Sequence, residues 1–322
     1  MAKHLLTQQI LSGDRIALAK AITLAESSTP AHSKKARQII DEIIPFAGKS
    51  IRIGITGVPG VGKSSFIEAL GNYLIDKKKR NVAVLAIDPT SSKSKGSILG
   101  DKTRMENLAR NENAFIRPSP SSGTQGGVAG TTRESISLCE AAGFNTVLIE
   151  TVGVGQSETA VHSMVDFMLL LLLPGAGDEL QGMKRGIVEL ADLFAINKAD
   201  DNLQKAKIAQ AAYRQALHLF PPADNGWSPD VLTCSARTGE GIPQIWNKVE
   251  EFDKRAHDNH SFLNRRKGQN KLWFRERVIE MALKKFSGNP KVKRKISGLE
   301  QKVEAGKISV WSAVQELAKI KF

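Results

Sequence analysis

Ile51-Arg-Ile-Gly-Ile-Thr-Gly57-Val-Pro-Gly-Val-Gly62-Lys63-Ser64-Ser65 is the stretch on which the fold turns. Its first six residues form a short apolar run of the kind that builds a strand buried in a parallel sheet, and from Ser64 to Leu74 apolar residues recur at helical spacing. Between the two stands G-x-x-x-x-G-K-[ST], a phosphate-binding loop in its required order of strand, loop and helix. The glycines let the backbone wrap close to phosphate, the amides converge at the helix N-terminus, and Lys63 adds a cation near the β- and γ-phosphates. Ser64 supplies a hydroxyl for Mg2+. A glycine-rich turn that merely joins strand to helix accounts for neither the lysine nor the serine. The expected phosphate contacts are therefore Gly57, Val58, Pro59, Gly60, Val61, Gly62, Lys63, Ser64 and Ser65.

Working outward, strands and helices alternate from about residue 49 to 258. Strands are expected near 51–56, 82–87, 146–150, 167–173, 192–197 and 230–234, which implies an α/β P-loop NTPase fold with a doubly wound, mostly parallel sheet covered on both faces. Residues 1–48 read as a helical extension in which Ile39, Ile40, Ile43 and Ile44 form a stripe behind a Ser33 cap. Residues 259–322 read as a basic helical arm of the kind that often serves dimerisation. The Ser, Gly and Thr-rich stretch from Pro118 to Thr132 reads as a functional loop.

The base is read by a second, weaker string. Asn197-Lys198-Ala199-Asp200 follows the strand Asp192-Leu-Phe-Ala-Ile-Asn197. A carboxylate at Asp200 accepts from both N1–H and the exocyclic amine of guanine, whereas adenine offers no such donor pair. Asn197 can bond the purine edge or tie down the phosphate loop, and the Lys198 stem can cover the ring. Downstream, Ser235-Ala236 brings a backbone amide toward the guanine O6. The competing reading is a helix cap at Asp200 or Asp201.

Composition narrows the class. At 322 residues with 41% hydrophobic content the chain can bury a sizeable core. Its two cysteines, Cys139 and Cys234, match neither a disulfide framework nor a metal knuckle and suit a reducing, cytoplasmic setting. The apolar run from Phe167 to Leu173 is too short to span a bilayer, and no signal-peptide core opens the sequence. Of the net charge of +13, most sits in residues 259–322, where 16 Lys and Arg face 5 acidic residues. That segment carries apolar stripes at Leu272, Ile279, Leu283 and Phe286 and at Val310, Val314 and Leu317. Its charge suits a solvated helical face, an acidic partner or nucleic acid, but no RNA-binding motif or aromatic platform favours the last.

Carboxylates at strand ends supply the metal chemistry. Asp88 closes the strand at 82–88 and Glu150 closes the one at 146–150, both at the carboxyl edge where ligands of doubly wound folds bind. Asp101, in Leu99-Gly-Asp-Lys-Thr-Arg104, is a third candidate on a loop. Such groups hold Mg2+ directly or through water, while Gly153 lets a backbone amide approach the γ-phosphate and sense its loss.

Taken together, G-V-P-G-V-G-K-S, A-I-D-P-T-S, L-G-D-K-T-R-M, E-T-V-G-V-G-Q-S-E, G-A-G-D-E-L-Q-G-M-K-R-G and N-K-A-D resemble the MeaB/ArgK GTPases, a family that includes the human methylmalonic aciduria type A protein. The resemblance spans roughly residues 30–250. It implies a homodimeric G protein that binds an adenosylcobalamin-dependent acyl-CoA mutase, chiefly methylmalonyl-CoA mutase, gating cofactor delivery and protecting or reactivating the mutase while GTP hydrolysis keeps time. By motif it assigns Asp88 and Asp101 to the first switch and Mg2+, Glu150 to the second switch, and residues 175–186 to a third switch whose Lys184 responds to nucleotide. The implied catalytic set is Lys63, Asp101, Glu150 and Lys184, with Ser64, Asp88, Asp101 and Glu150 on the metal. Glu150-Thr-Val-Gly153 departs from the Ras-like D-x-x-G, so Gln156 is not assigned to position water. Other readings are an ATP-dependent kinase of an amino-acid transport system, against which N-K-A-D argues, and a metal-insertion GTPase, which lacks its histidine tract or cysteine site here.

Overall fold

The computed structural model describes residues 4–27, 29–88, 105–120, 125–151, 157–175, 185–218 and 226–320. Three helices come first: α1 (Leu5–Leu11), α2 (Arg15–Glu26) and α3 (Pro30–Ile43). The body then alternates β1 (Ile51–Gly57), α4 (Lys63–Lys78), β2 (Val82–Asp88), α5 (Glu106–Arg110), β3 (Ala114–Pro120), α6 (Gln125–Ala141), β4 (Thr146–Thr151), α7 (Ser157–His162), β5 (Phe167–Leu172), α8 (Arg185–Leu190), β6 (Leu193–Ile196), α9 (Leu203–Leu217), β7 (Asp230–Thr233) and α10 (Ile242–Asp258). The chain ends in α11 (Ser261–Gly288), α12 (Pro290–Glu304) and α13 (Val310–Ala318).

Among the described residues seven strands lie in the order β3-β2-β4-β1-β5-β6-β7, and every pairing is parallel. The central strands β1, β4, β5 and β6 are apolar runs because both faces are covered. On one face α4 and α10 pack Phe66, Leu70, Leu74, Trp246 and Phe252 against Ile53, Ile55 and Leu169. On the other, α1, α2, α3 and α6 bring Ile10, Leu18, Ile22, Ile39 and Cys139 against Leu85, Val147 and Met168. A third cluster covers the β5–β7 end with Val188 and Tyr213. Each such side chain contributes about 1.5–3 kcal/mol of burial. Both cysteines are buried free thiols, and mainly that burial pushes both thiols up, Cys234 to about 12.

Two expectations are corrected. The helix placed behind Ser33 begins earlier: Thr29 is its N-cap and Pro30 its first residue, where a missing N–H costs nothing and φ is preset. Ile39 and Ile43 are fully buried, while Ile44 is half exposed. The stretch 118–132 is not one loop, because its start finishes β3 and residues from 125 onward begin α6. The strand β3 was not foreseen: Arg117, Pro118 and Pro120 interrupt the apolar pattern, and such a sequence is tolerated because β3 is an edge strand.

The chain forms two compact units, Met1–Gln269 and Asn270–Phe322, with the boundary inside α11. Within the second, Val292, Leu299 and Ala313 are buried between α12 and α13, and Lys295 pairs with Glu316 at 2.8 Å. Phe274, Ile279, Leu283 and Trp311 stand exposed.

At the amino edge of the sheet, a buried ion network closes the first unit. The Arg266 guanidinium donates to both Asp166 oxygens at 2.8 and 2.6 Å, and to the carbonyls of Gly48 at 2.7 Å and Ser50 at 2.6 Å. Glu140 accepts two bonds from Arg52 at 2.9 Å, one from the Ser50 hydroxyl at 2.6 Å and one from the Gly48 amide at 2.7 Å. Among the described residues no helix is long and apolar enough to cross a membrane.

Candidate functional site

The carboxyl edges of β1 and β4 face the N-terminus of α4 across the phosphate-binding loop. Three glycines give that loop its path. Gly60 and Gly62 have φ of +79° and +93°, and a Cβ on Gly57, at φ +149°, would stand 2.6 Å from the Leu171 carbonyl. Such angles are strained for any residue with a side chain. Lys63, the first residue of α4, is 8% exposed, and its ammonium donates to the carbonyls of Gly57 at 2.8 Å and Val58 at 3.2 Å. Burial draws its pKa below the usual lysine range, while the charges of Glu150 and then Glu158 pull it back up.

Ser64 and Glu150, both expected on the metal, are brought together: the hydroxyl donates to the carboxylate at 3.0 Å. The neighbouring Thr151 donates to Thr56 at 2.9 Å, which locks β4 to β1 just below the loop. Asp88 is the last residue of β2, on the same edge. Its side chain, with Asp101, Gly153 and Lys184, lies outside the described residues.

The guanine-reading string sits one strand pair away and is tied to the loop. Asn197, 1% exposed, donates from Nδ2 to the Val61 carbonyl at 2.9 Å and accepts the Ala236 amide at 3.1 Å on Oδ1. One amide thus joins the phosphate loop, the β6 end and the Ser235-Ala236 segment. Lys198 takes φ +59°, a left-handed conformation that aims its chain back over the loop, where Nζ donates to the Gly60 carbonyl at 2.9 Å. Asp200 accepts from the Ser235 hydroxyl first and from the Arg237 guanidinium, and together they hold its carboxyl below the usual range. It is therefore ionised and acceptor-only near neutral pH. The capping alternative falls away, since the cap of α9 is Asn202, whose side chain accepts the Lys205 amide at 2.9 Å.

Two residues at this edge escaped the sequence reading. Arg237 pairs with Asp200 from 37 positions downstream, and nothing local in the sequence signals it. Glu158, 2% exposed in the first turn of α7, adds a second negative charge toward Lys63. Its signal was available at the end of E-T-V-G-V-G-Q-S-E.

The family described as methylmalonyl Co-A mutase-associated GTPase MeaB matches residues 18–291. This chain belongs to the MeaB family. A putative GTPase of Caulobacter vibrioides is 49% identical, the alignment covering 97% of this chain and 95% of that protein. The Mus musculus protein named methylmalonic aciduria type A homolog, mitochondrial, is 44% identical over 96% of this chain and 77% of its own length. A crystal structure titled LAO/AO transport system kinase has a TM-score of 0.77 at 37% identity, covering 98% of this MeaB-family chain and 95% of that one. Family, fold and the relatives' names together support a GTPase.

Proposed function

We propose that this MeaB-family chain binds and hydrolyses GTP as a G-protein chaperone of an adenosylcobalamin-dependent acyl-CoA mutase, methylmalonyl-CoA mutase foremost. It acts in the cytoplasm and as a homodimer, for which the exposed apolar residues of α11 and α13 are the natural contact. The observation that carries the nucleotide half is the Asn197 bridge, which sets an ionised Asp200 and the Ala236 amide at a fixed offset from the phosphate loop. Family membership carries the partner half.

In this reading Gly57 through Ser65 cradle the phosphates and Asp200 accepts the two guanine donors. The Ser64 hydroxyl and Glu150 carboxylate, already in contact, form an all-oxygen set of the kind a hard divalent cation takes, with Asp88 and Asp101 completing it. Bound Mg2+ would neutralise phosphate charge. Lys63 and the loop amides stabilise the charge that spreads over the transferred phosphoryl as water attacks in line. Gly153 and Lys184 belong to the switches that report the γ-phosphate to the mutase. The 1–48 helices, the 49–258 GTPase body and the 259–322 arm are the functional divisions.

Replacing Asp200 with Asn should move base preference. The amide oxygen still accepts N1–H, but the NH2 that replaces the second oxygen meets the exocyclic amine of guanine donor to donor, and it can donate instead to the C2 carbonyl of xanthine. Losing one bond to a charged group, worth about 1.5–3 kcal/mol, puts the loss of GTP affinity at roughly 10- to 100-fold, with xanthosine triphosphate gaining. Competition binding of GTP, XTP and ATP reads this, and preference for ATP in the wild type would favour a kinase instead.

For the partner, single-turnover GTP hydrolysis with and without the mutase is decisive. Docking is expected to order the switch loops and raise the rate. Equal rates, with no mutase recovered from native lysate on either the GDP-loaded or the GTP-analogue-loaded protein, would remove the chaperone role.

A further inference from the structure

A cleft of about 980 Å³ opens where the N-terminal helices meet the sheet edge, three strands from the phosphate loop. At the usual strand spacing that is roughly 14 Å from β1, so the cleft is separate from the nucleotide site. Leu6, Leu24, Ala109, Phe115 and Ile116 give it an apolar interior. Leu5 and Ile16 on its walls are 68% and 67% exposed, which makes it a trough open along one side rather than an enclosed chamber.

Its charge is one-sided. Arg15, Lys20 and Lys35 line it, with His4 and His32, and no Asp or Glu does so among the described residues. Among the described residues the Arg15 guanidinium reaches only the Asn111 carbonyl, at 3.4 Å, and no carboxylate neutralises Lys20 or Lys35. Large apolar side chains left in water beside uncompensated cations mark a surface whose complement is apolar on one face and anionic on the other.

We propose that this trough docks an acidic amphipathic helix of a partner protein, its apolar stripe against Leu5, Ile16 and Phe115 and its carboxylates toward Arg15, Lys20 and Lys35. The volume lies at the top of the range for small-molecule pockets, about 300–1,000 Å³. With one side open, that space suits a helix laid in a groove better than a ligand that must be enclosed. The inference stands independently of the mutase reading, because nothing in it uses the nucleotide or the family.

The test uses the full chain and a fluorescent acetylated peptide of about 18 residues, with Leu at i, i+3, i+4 and i+7 and Glu on the remaining face. A second peptide with Lys in place of Glu, oleate, and phosphatidylglycerol vesicles are run beside it. Anisotropy should show the acidic peptide binding at least tenfold tighter than the basic one. The double variant Lys20→Glu with Lys35→Glu, and separately Ile16→Asp, should each weaken it at least tenfold while leaving melting temperature and GTP binding unchanged. Hydrogen exchange should slow across residues 5–24 when the acidic peptide is added. Equal binding of both peptides, binding that survives the substitutions, or no binding of the acidic peptide would overturn the proposal. Binding of oleate or vesicles through the same residues, without the peptide, would reassign the trough to a lipid.

Discussion

Lys63→Ala should lower single-turnover GTP hydrolysis by about 10²–10³-fold, equivalent to roughly 3–4 kcal/mol of lost charge stabilisation. The ammonium is a buried cation, and two carbonyls of the phosphate-binding loop hold it there. At 8% exposure its charge is little screened by solvent, so its removal is felt in full. Lys63→Arg keeps the charge, yet a larger planar fork replaces the compact ammonium that bonds the Gly57 and Val58 carbonyls, so it should recover little. Affinity for GDP should fall less than the rate, since part of the contact strengthens only as the phosphoryl transfers. The measurement is GTP turnover under excess protein, paired with GDP binding. Hydrolysis in Lys63→Ala within threefold of wild type would exclude the loop lysine from the chemistry.

Arg266→Ala should cost about 3–5 kcal/mol of stability, the range for removing one member of a buried ion pair. At this chain length that is roughly a 5–10 °C fall in melting temperature. The loss is large because four acceptors are left at once: two Asp166 oxygens and the carbonyls of Gly48 and Ser50. Burial lowers the Arg266 pKa, but the bonds to Asp166 and the charge of Glu140 outweigh it and raise it overall, so it is a cation at every working pH. Burial likewise pushes Glu140 up, and the Arg52 bonds, the Ser50 hydroxyl and the Arg266 charge more than reverse that. A carboxylate held below its ordinary value of 4.5 stabilises the fold fully above that pH and loses the contribution as pH falls below it. Wild type and Arg266→Ala should therefore differ most at pH 7 and converge as pH falls below 4.5, read as urea midpoints. A difference below 1 kcal/mol at pH 7 would mean the network is not a structural tie.

What the sequence made legible follows the range over which its signals act. The phosphate loop, β1 and α4 were readable because loop, strand and helix are contiguous and each obeys a local rule. The fully buried strands β4, β5 and β6 announced themselves as unbroken apolar runs. β3 did not, since Arg117, Pro118 and Pro120 break the pattern at a position where only one neighbouring strand needs to be satisfied. Thr29 is the cap rather than Ser33 because Pro30 after it suits the first helical position, a cue that outweighs a serine inside the first turn. At the site, Asn197 had two open roles, and only the fold shows that its amide spans Val61 and Ala236. Arg237 and Arg266 were invisible for the same reason: their partners Asp200 and Asp166 lie 37 and 100 residues away, and pairing at that distance is decided by topology.

The edge strand β3 also bears on how the protein avoids unwanted association. An open parallel edge is a template on which any extended segment can add, and proline in an edge strand turns its donor-less nitrogen outward. With Pro118 and Pro120 at alternate positions of a seven-residue strand, two successive rungs of that template are missing. The opposite edge, β7, is only four residues long. Among the described residues neither margin offers a long run of backbone donors on which an amyloid-like stack can grow, which leaves pairing at the sheet edges disfavoured in a chain this rich in buried apolar strands.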